Sequence, residues 1–193
     1  NLHNFLIMIK NNGRILVKKK LEQQIYICFF IGSLDLGGTE KQLVNLINSL
    51  DKKKFKIDLY LLTDKKGDLF GELNSSVKVF LPKFKFKSKL RYFFNFLVTY
   101  FRIRRTKPKI IHTFLPYAYL VGGLIGYFLN HPNIIMSRRS MNNYQKKFKF
   151  LPIRKIEMFL HKKIKLIITN AKAVRQNIIS EGAPKNKVKV IYN

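Results

Sequence analysis

The sequence predicts an α/β protein built on a doubly wound parallel sheet, and three observations carry that expectation. Ile25–Ile31 is an almost unbroken apolar run with β-branched and aromatic members, the pattern of a strand buried on both faces of a parallel sheet. Behind it Leu43, Leu46, Ile47 and Leu50 recur at helical spacing. The same alternation of strand and helix continues along the chain, as in sheets covered by crossover helices. Polar residues gather where the strands end, the edge at which such sheets hold ligands.

Each element has its own warrant. The first strand runs into a loop opened by Gly37 and Gly38, and a helix is expected over 39–50. Thr39 followed by Gln42 three residues later reads as a capping box. Further strands are expected over 55–63, 77–81, 109–114, 134–137, 165–169 and 187–191, where short apolar or alternating runs are bounded by polar turns. Helical periodicity fills 88–105, 117–130, 152–163 and 171–181. The last helix is stopped by Glu181-Gly182-Ala183-Pro184, with Gly at C′ and Pro just beyond. No internal repeat is visible.

The strand ends bring several polar groups to one rim. His112 and Thr113 close the fourth strand, Ser137-Arg138-Arg139-Ser140 the fifth, and Thr169-Asn170 the sixth, beside Gly37 and Gly38 after the first. Small residues let a substrate approach the loop backbone, and the free N–H groups of a helix start favour anionic or hydroxylated groups. The glycines do not fit Gly-x-Gly-x-x-Gly, and no Gly-Lys-Ser/Thr follows, which disfavours a dinucleotide fold or a P-loop. His112 is the candidate catalytic residue, beside the plainer reading of a packed or capping histidine. Arg138 and Arg139 carry guanidinium groups suited to phosphate or carboxylate.

Length and composition set bounds. The 193 residues suffice for one core, here assigned to 25–193, with 1–24 as a basic, loosely ordered lead-in. Lys and Arg number 38 against 10 Asp and Glu, a net charge of +28. That excess attracts polyanions such as nucleic acid, anionic lipid or sugar phosphates without choosing among them. The lone Cys28 lies inside the first strand and reads as a small buried apolar residue, which fits a reducing compartment. The apolar run over 117–129 is too short to cross a bilayer and reads as a core helix.

The densest cationic and aromatic stretch spans 83–105. Leu90, Phe93, Phe94, Leu97, Val98 and Phe101 form one apolar stripe, expected to pack on the sheet. Tyr92, Phe96 and Tyr100 form a second at four-residue spacing, flanked by Arg102, Arg104 and Arg105. One stripe is enough for a surface helix, so the second is read either as a membrane contact or as part of a deeply packed helix with solvated ends. The segment 146–150 has a similar basic and aromatic character.

Taken together, Leu36-Gly37-Gly38-Thr39-Glu40-Lys41-Gln42-Leu43, Ile110-Ile111-His112-Thr113-Phe114-Leu115, Ser137-Arg138-Arg139, Ile168-Thr169-Asn170-Ala171-Lys172-Ala173-Val174 and Lys187-Val188-Lys189-Val190-Ile191-Tyr192-Asn193 resemble, in order, the amino-terminal domain of family-4 glycosyltransferases. The resemblance implies one half of a GT-B architecture, in which two Rossmann-like domains face each other. It implies retaining transfer of a sugar from a nucleotide-sugar donor to a glycan or lipid-linked acceptor, with no cofactor and no essential metal. By the same resemblance Gly37, Gly38 and Thr39 lie near the donor diphosphate and reacting sugar, His112 near the chemistry, and Arg138, Arg139 and Asn170 on the acceptor side. Two departures stand out. Many members carry His-x-His where this chain has His112-Thr113-Phe114, and the family continues past Asn193 into a carboxyl-terminal donor-binding domain. A separate carboxyl-terminal domain is therefore an expected partner, and the isolated chain is expected to be inactive. Lipid-linked acceptors in the family favour a cytoplasmic chain, peripheral on the inner face of an anionic membrane. The alternatives are a non-catalytic binding or scaffold module, or a basic nucleic-acid-binding protein, although no nucleic-acid module is visible.

Overall fold

The computed structural model describes residues 24–141 and 153–192, together with the backbone of 8–11 and 14–17. Within the lead-in, β1 (Met8–Asn11) and β2 (Arg14–Val17) pair antiparallel as a separate two-stranded sheet. The remainder of 1–23 lies outside the described residues, as does 146–150.

The main sheet is parallel throughout. Its strands are β3 (Ile25–Ile31), β4 (Phe55–Leu61), β5 (Lys78–Phe80), β6 (Ile110–Phe114), β7 (Ile134–Arg138), β8 (Leu166–Thr169) and β9 (Val188–Val190). They lie in the order β5-β4-β3-β6-β7-β8-β9. The helices between them are α1 (Gly38–Ser49), α2 (Leu90–Thr106), α3 (Pro116–Phe128), α4 (Ile153–Lys163) and α5 (Lys172–Ser180). All seven strands and five helices fall on the expected segments, with ends moved by one or two residues. Two 3₁₀ turns among the described residues, Asp68–Glu72 and Lys185–Lys187, were not anticipated.

The strand order dictates the layers. From β3 the chain steps outward to β4 and β5, then α2 carries it back across to β6, from which it proceeds to β9. Parallel crossovers are right-handed, so reversing direction moves the helices to the opposite face. The core agrees. Phe29, Ile31, Leu59 and Leu61 pack with Leu43, Val44 and Ile47 of α1. Cys28, Phe30, Tyr60 and Ile111 pack with Ile103 of α2 and with Ala118 and Ile125 of α3. Ile134, Met136, Ile167 and Val188 pack with Tyr119, Leu160 and Ile178. Four consecutive β3 residues, Cys28 to Ile31, are at most 1% exposed. Full burial of one large apolar side chain contributes about 1.5–3 kcal/mol, so this strand anchors both layers.

Local chemistry explains the helix ends. Gly182 sits at φ 99° after α5, with its N–H bonded to Ile179 O and that of Ala183 to Ile178 O. This is the Schellman arrangement that the Gly-Ala-Pro stop predicts. The expected capping box does not form. Helix α1 starts one residue early, with Gly37 as an extended N-cap lacking a side-chain cap bond, which places Thr39 inside the first turn. The Glu40 side chain instead folds back over Gly37.

Most of the α2 stripe expected on the sheet is exposed, while two members of the other, Phe96 and Tyr100, turn inward as in a packed helix and the third, Tyr92, stays half exposed. Phe96 and Tyr100 pack against the core cluster that contains Phe30 and Tyr60. Leu90, Phe93 and Phe101 are 59%, 57% and 58% exposed. Ile103 is the buried α2 residue, and Phe96 and Tyr100 lie seven and three residues before it, on the same helix face. Helix α3 is a core helix as expected, and among the described residues no helix is long and apolar enough to cross a membrane.

Candidate functional site

The direction of the chain reverses between β3 and β6, and the crevice at the carboxyl ends of these strands is where open α/β sheets bind ligands. Gly37 and Gly38 begin α1 just beyond β3. A Cβ placed on Gly38 would meet no atom within 4 Å, so its backbone faces open space. The loop before it is fixed from behind. Leu34 N–H bonds to Lys66 O at 2.9 Å and Leu69 N–H to Leu34 O at 2.9 Å. Gly67, at φ 87°, allows that contact, because a Cβ there would run into the Leu34 backbone. The first turn of α1 therefore presents its free N–H groups from a braced platform.

His112 lies in the middle of β6 rather than at its end. It is paired with Phe29 and Ile135, and its ring sits 5.5 Å from that of Phe29 and 4.4 Å from that of Phe114. Its Nε2 and the Ser137 hydroxyl share a hydrogen bond of 2.8 Å. Burial, reinforced by the nearby Arg139 charge, pushes its pKa down to about 3. The imidazole is thus neutral at physiological pH and supplies a hydrogen bond rather than a charge.

Arg138 requires a correction. It is 1% exposed, and its Nη1 and Nη2 donate to Glu181 Oε2 and Oε1 at 2.9 and 3.1 Å while Nε donates to Ser140 O. A fork already filled by a buried carboxylate is not presented at the rim for a phosphate. Arg139 is half-buried, with its guanidinium 6.0 Å from the Phe114 ring centre, and desolvation lowers its pKa. Asn170 follows β8, half-buried, with its Oδ1 shielded and unpartnered among the described residues. Of the residues assigned to the α2 segment, Tyr92 is half exposed, Arg102 lies 4.1 Å from the Phe80 ring centre, and Arg104 and Arg105 are exposed.

On the α2 face of the same carboxyl edge lies a groove of about 1310 Å³. The ends of β4 and β5, residues 81–84, α2 and the start of α3 enclose it, with Leu62, Val79, Phe80, Phe96 and Val121 on its walls. No such cavity follows from the sequence pattern. The one signal was the surplus of aromatic residues over 84–101. The Glu181 partner of Arg138 was also missed, because 43 residues separate them and only the sheet order joins them. Among the described residues no three His, Cys, Asp or Glu side chains gather as metal ligands.

The sequence model described as Glycosyltransferase Family 4 matches residues 36–193. The chain belongs to that family. No curated protein matches it. Similar solved structures include Anabaena HepE in complex with UDP, at 18% identity and TM-score 0.64 over 87% of this chain and 44% of that one. The lipopolysaccharide outer core galactosyltransferase WaaB is similar at 14% identity and TM-score 0.64 over 87% and 45%. A UDP-N-acetylglucosamine 2-epimerase from Rickettsia bellii aligns at 14% identity and TM-score 0.62 over 87% and 44%. This family-4 chain thus spans less than half the length of these structures and has the Rossmann-like fold of one half of a GT-B protein.

Proposed function

We propose that this chain supplies the acceptor-side half of a retaining sugar transferase, which moves a sugar from a nucleotide-sugar donor to a glycan or lipid-linked acceptor. The observation that supports it most is the glycine loop, braced from behind and open in front, at the switch point of a sheet whose family is glycosyltransferase 4. In this reading the first turn of α1 faces the donor diphosphate and the reacting sugar. Fixed N–H dipoles there stabilise charge on the leaving group without reorganising. His112, neutral and tied to Ser137, orients a hydroxyl. Arg139 and Asn170 bind the acceptor, and Arg138 holds the strand that carries Arg139. The nucleotide pocket belongs to a carboxyl-terminal domain, and transfer needs no essential metal. The protein works in the cytoplasm, with the outward stripe of α2 on the inner face of an anionic membrane.

The test is transfer by this chain joined to a family carboxyl-terminal domain. UDP-glucose, which HepE binds, is the first donor to try. Gly38→Val should leave the unfolding temperature within about 2 °C, because the added side chain meets open space, yet reduce turnover at least roughly 100-fold by misplacing the donor. The 193-residue chain alone should show no turnover. Full activity in Gly38→Val, or turnover by the chain alone, overturns the proposal.

A further inference from the structure

Five cations, Lys65, Lys83, Lys89, Arg91 and Arg102, line the apolar groove beside α2, against two acids, Asp35 and Asp64. None of the five forms an ion pair with a carboxylate among the described residues. Two are already positioned. Arg102 lies against the Phe80 ring, and Arg91 Nη2 donates to the Tyr92 hydroxyl at 2.9 Å. The walls between these charges are mainly apolar, and at about 1310 Å³ the groove exceeds the ~300–1,000 Å³ that suits a compact ligand. Its lip continues into a cluster of rings, Phe84, Phe86, Phe93 and Phe94, whose centroids lie 5.5–6.3 Å apart in linked pairs. Phe86, Phe93 and Phe94 are exposed.

A free sugar or nucleotide matches this shape poorly, because it would leave most of the apolar wall uncovered and set many of its hydroxyls against it. An occupant that matches has a long apolar chain and an anionic head. We propose that the groove binds a phosphorylated lipid, with the chain lying along Leu62, Val79, Phe96 and Val121 and the phosphate held by Lys83, Lys89 and Arg91. This deepens the proposed function by naming the acceptor class, and it rests on that reading for the use made of the bound lipid. The ring cluster at the lip gives the chain an apolar path into the groove from a membrane surface.

The experiment reads binding, so it is independent of transfer. The chain has no tryptophan, and Phe84→Trp places one reporter at the lip of the groove. Titrating the full chain with farnesyl phosphate should give a saturable blue shift of its fluorescence. Farnesol, which lacks the phosphate, should bind roughly tenfold more weakly, and inorganic phosphate should give no shift. Val98→Phe, which narrows the groove from α2, should weaken farnesyl phosphate at least roughly tenfold. Lys83→Ala with Arg91→Ala should bring it down to the level of farnesol. Two outcomes overturn the proposal: equal affinity for farnesol and farnesyl phosphate, or a shift seen with anionic phosphatidylglycerol vesicles but not with monomeric farnesyl phosphate. If Val98→Phe unfolds, the double charge variant, which touches no core residue, still decides. Binding without transfer by the reconstituted enzyme would sink the transferase reading alone.

Discussion

His112 and His161 show how burial, helped by a neighbouring charge, settles the chemistry of a side chain. Both are buried, His112 against Ser137 and His161 with its Nδ1 sharing a 2.9 Å hydrogen bond with the Tyr119 hydroxyl. Their pKa values fall to about 3 and about 4, through desolvation first and a neighbouring arginine second. The folded chain refuses protons that the unfolded chain accepts below about pH 6.5, so stability falls as pH drops through that value and continues to fall to about pH 4 for His161 and about pH 3 for His112. At pH 5 the cost is about 2 kcal/mol for each imidazole. Thermal unfolding should show a loss between pH 7 and pH 5 that is reduced by His161→Gln. An unchanged loss in that variant would remove His161 from the account. The two neighbouring arginines divide the same way. Arg138→Ala leaves Glu181 buried without its partner and should cost about 3–5 kcal/mol in urea unfolding. Arg139→Ala should cost less, under about 1 kcal/mol, because that side chain is only half-buried. Equal costs would mean that the ion pair is not what holds Arg138.

At the scale of elements, α2 separates pattern from packing. Its sequence carries more apolar residues than one face can bury, so periodicity identified the helix but not which stripe turns inward. The structure decides through Ile103 and Tyr100, which sit against β3 and β4 at the end of the helix nearest β6. Phe96→Ser or Tyr100→Ser should therefore destabilise the fold by about 2–4 kcal/mol, as large-to-small changes against a core do. Leu90→Ser, Phe93→Ser and Phe101→Ser together should leave stability within about 1 kcal/mol. The same triple change should reduce binding to anionic vesicles in a sedimentation assay, and that binding should weaken with salt, because basic residues supply part of it. Vesicle binding that is unaffected would leave this stripe for another partner. The glycine loop shows a different limit. Gly37 and Gly38 were legible as a helix start, but the brace that fixes them comes from Lys66 and Gly67, about 30 residues on. Contacts of that kind are made by the order of strands, which local pattern does not encode. The capping box failed because α1 takes Gly37 as its N-cap, which puts Thr39 inside the first turn rather than at the cap.

For the whole molecule, the class of fold was legible because every main strand is a short apolar run between polar turns, while the groove was not, since it depends on how far α2 stands from the ends of β4 and β5. The main sheet also ties the three core clusters together, and β3 belongs to two of them. Cys28, the one cysteine, is 0% exposed on that strand, and burial pushes its thiol up to about 12. Only the thiolate attacks the disulfide of Ellman's reagent, displacing its aromatic thiolate, so the folded chain should be unreactive at pH 8. If the three clusters unfold as one unit, the labelling rate should be slowed by the full equilibrium constant of unfolding, corresponding to about 5–15 kcal/mol for a domain of this kind. Its dependence on urea should match that of global unfolding measured by circular dichroism. Labelling that is much faster, with a shallower urea dependence, would show that β3 opens apart from the rest, and the switch point would then be a locally unstable seam rather than the rigid centre of the sheet.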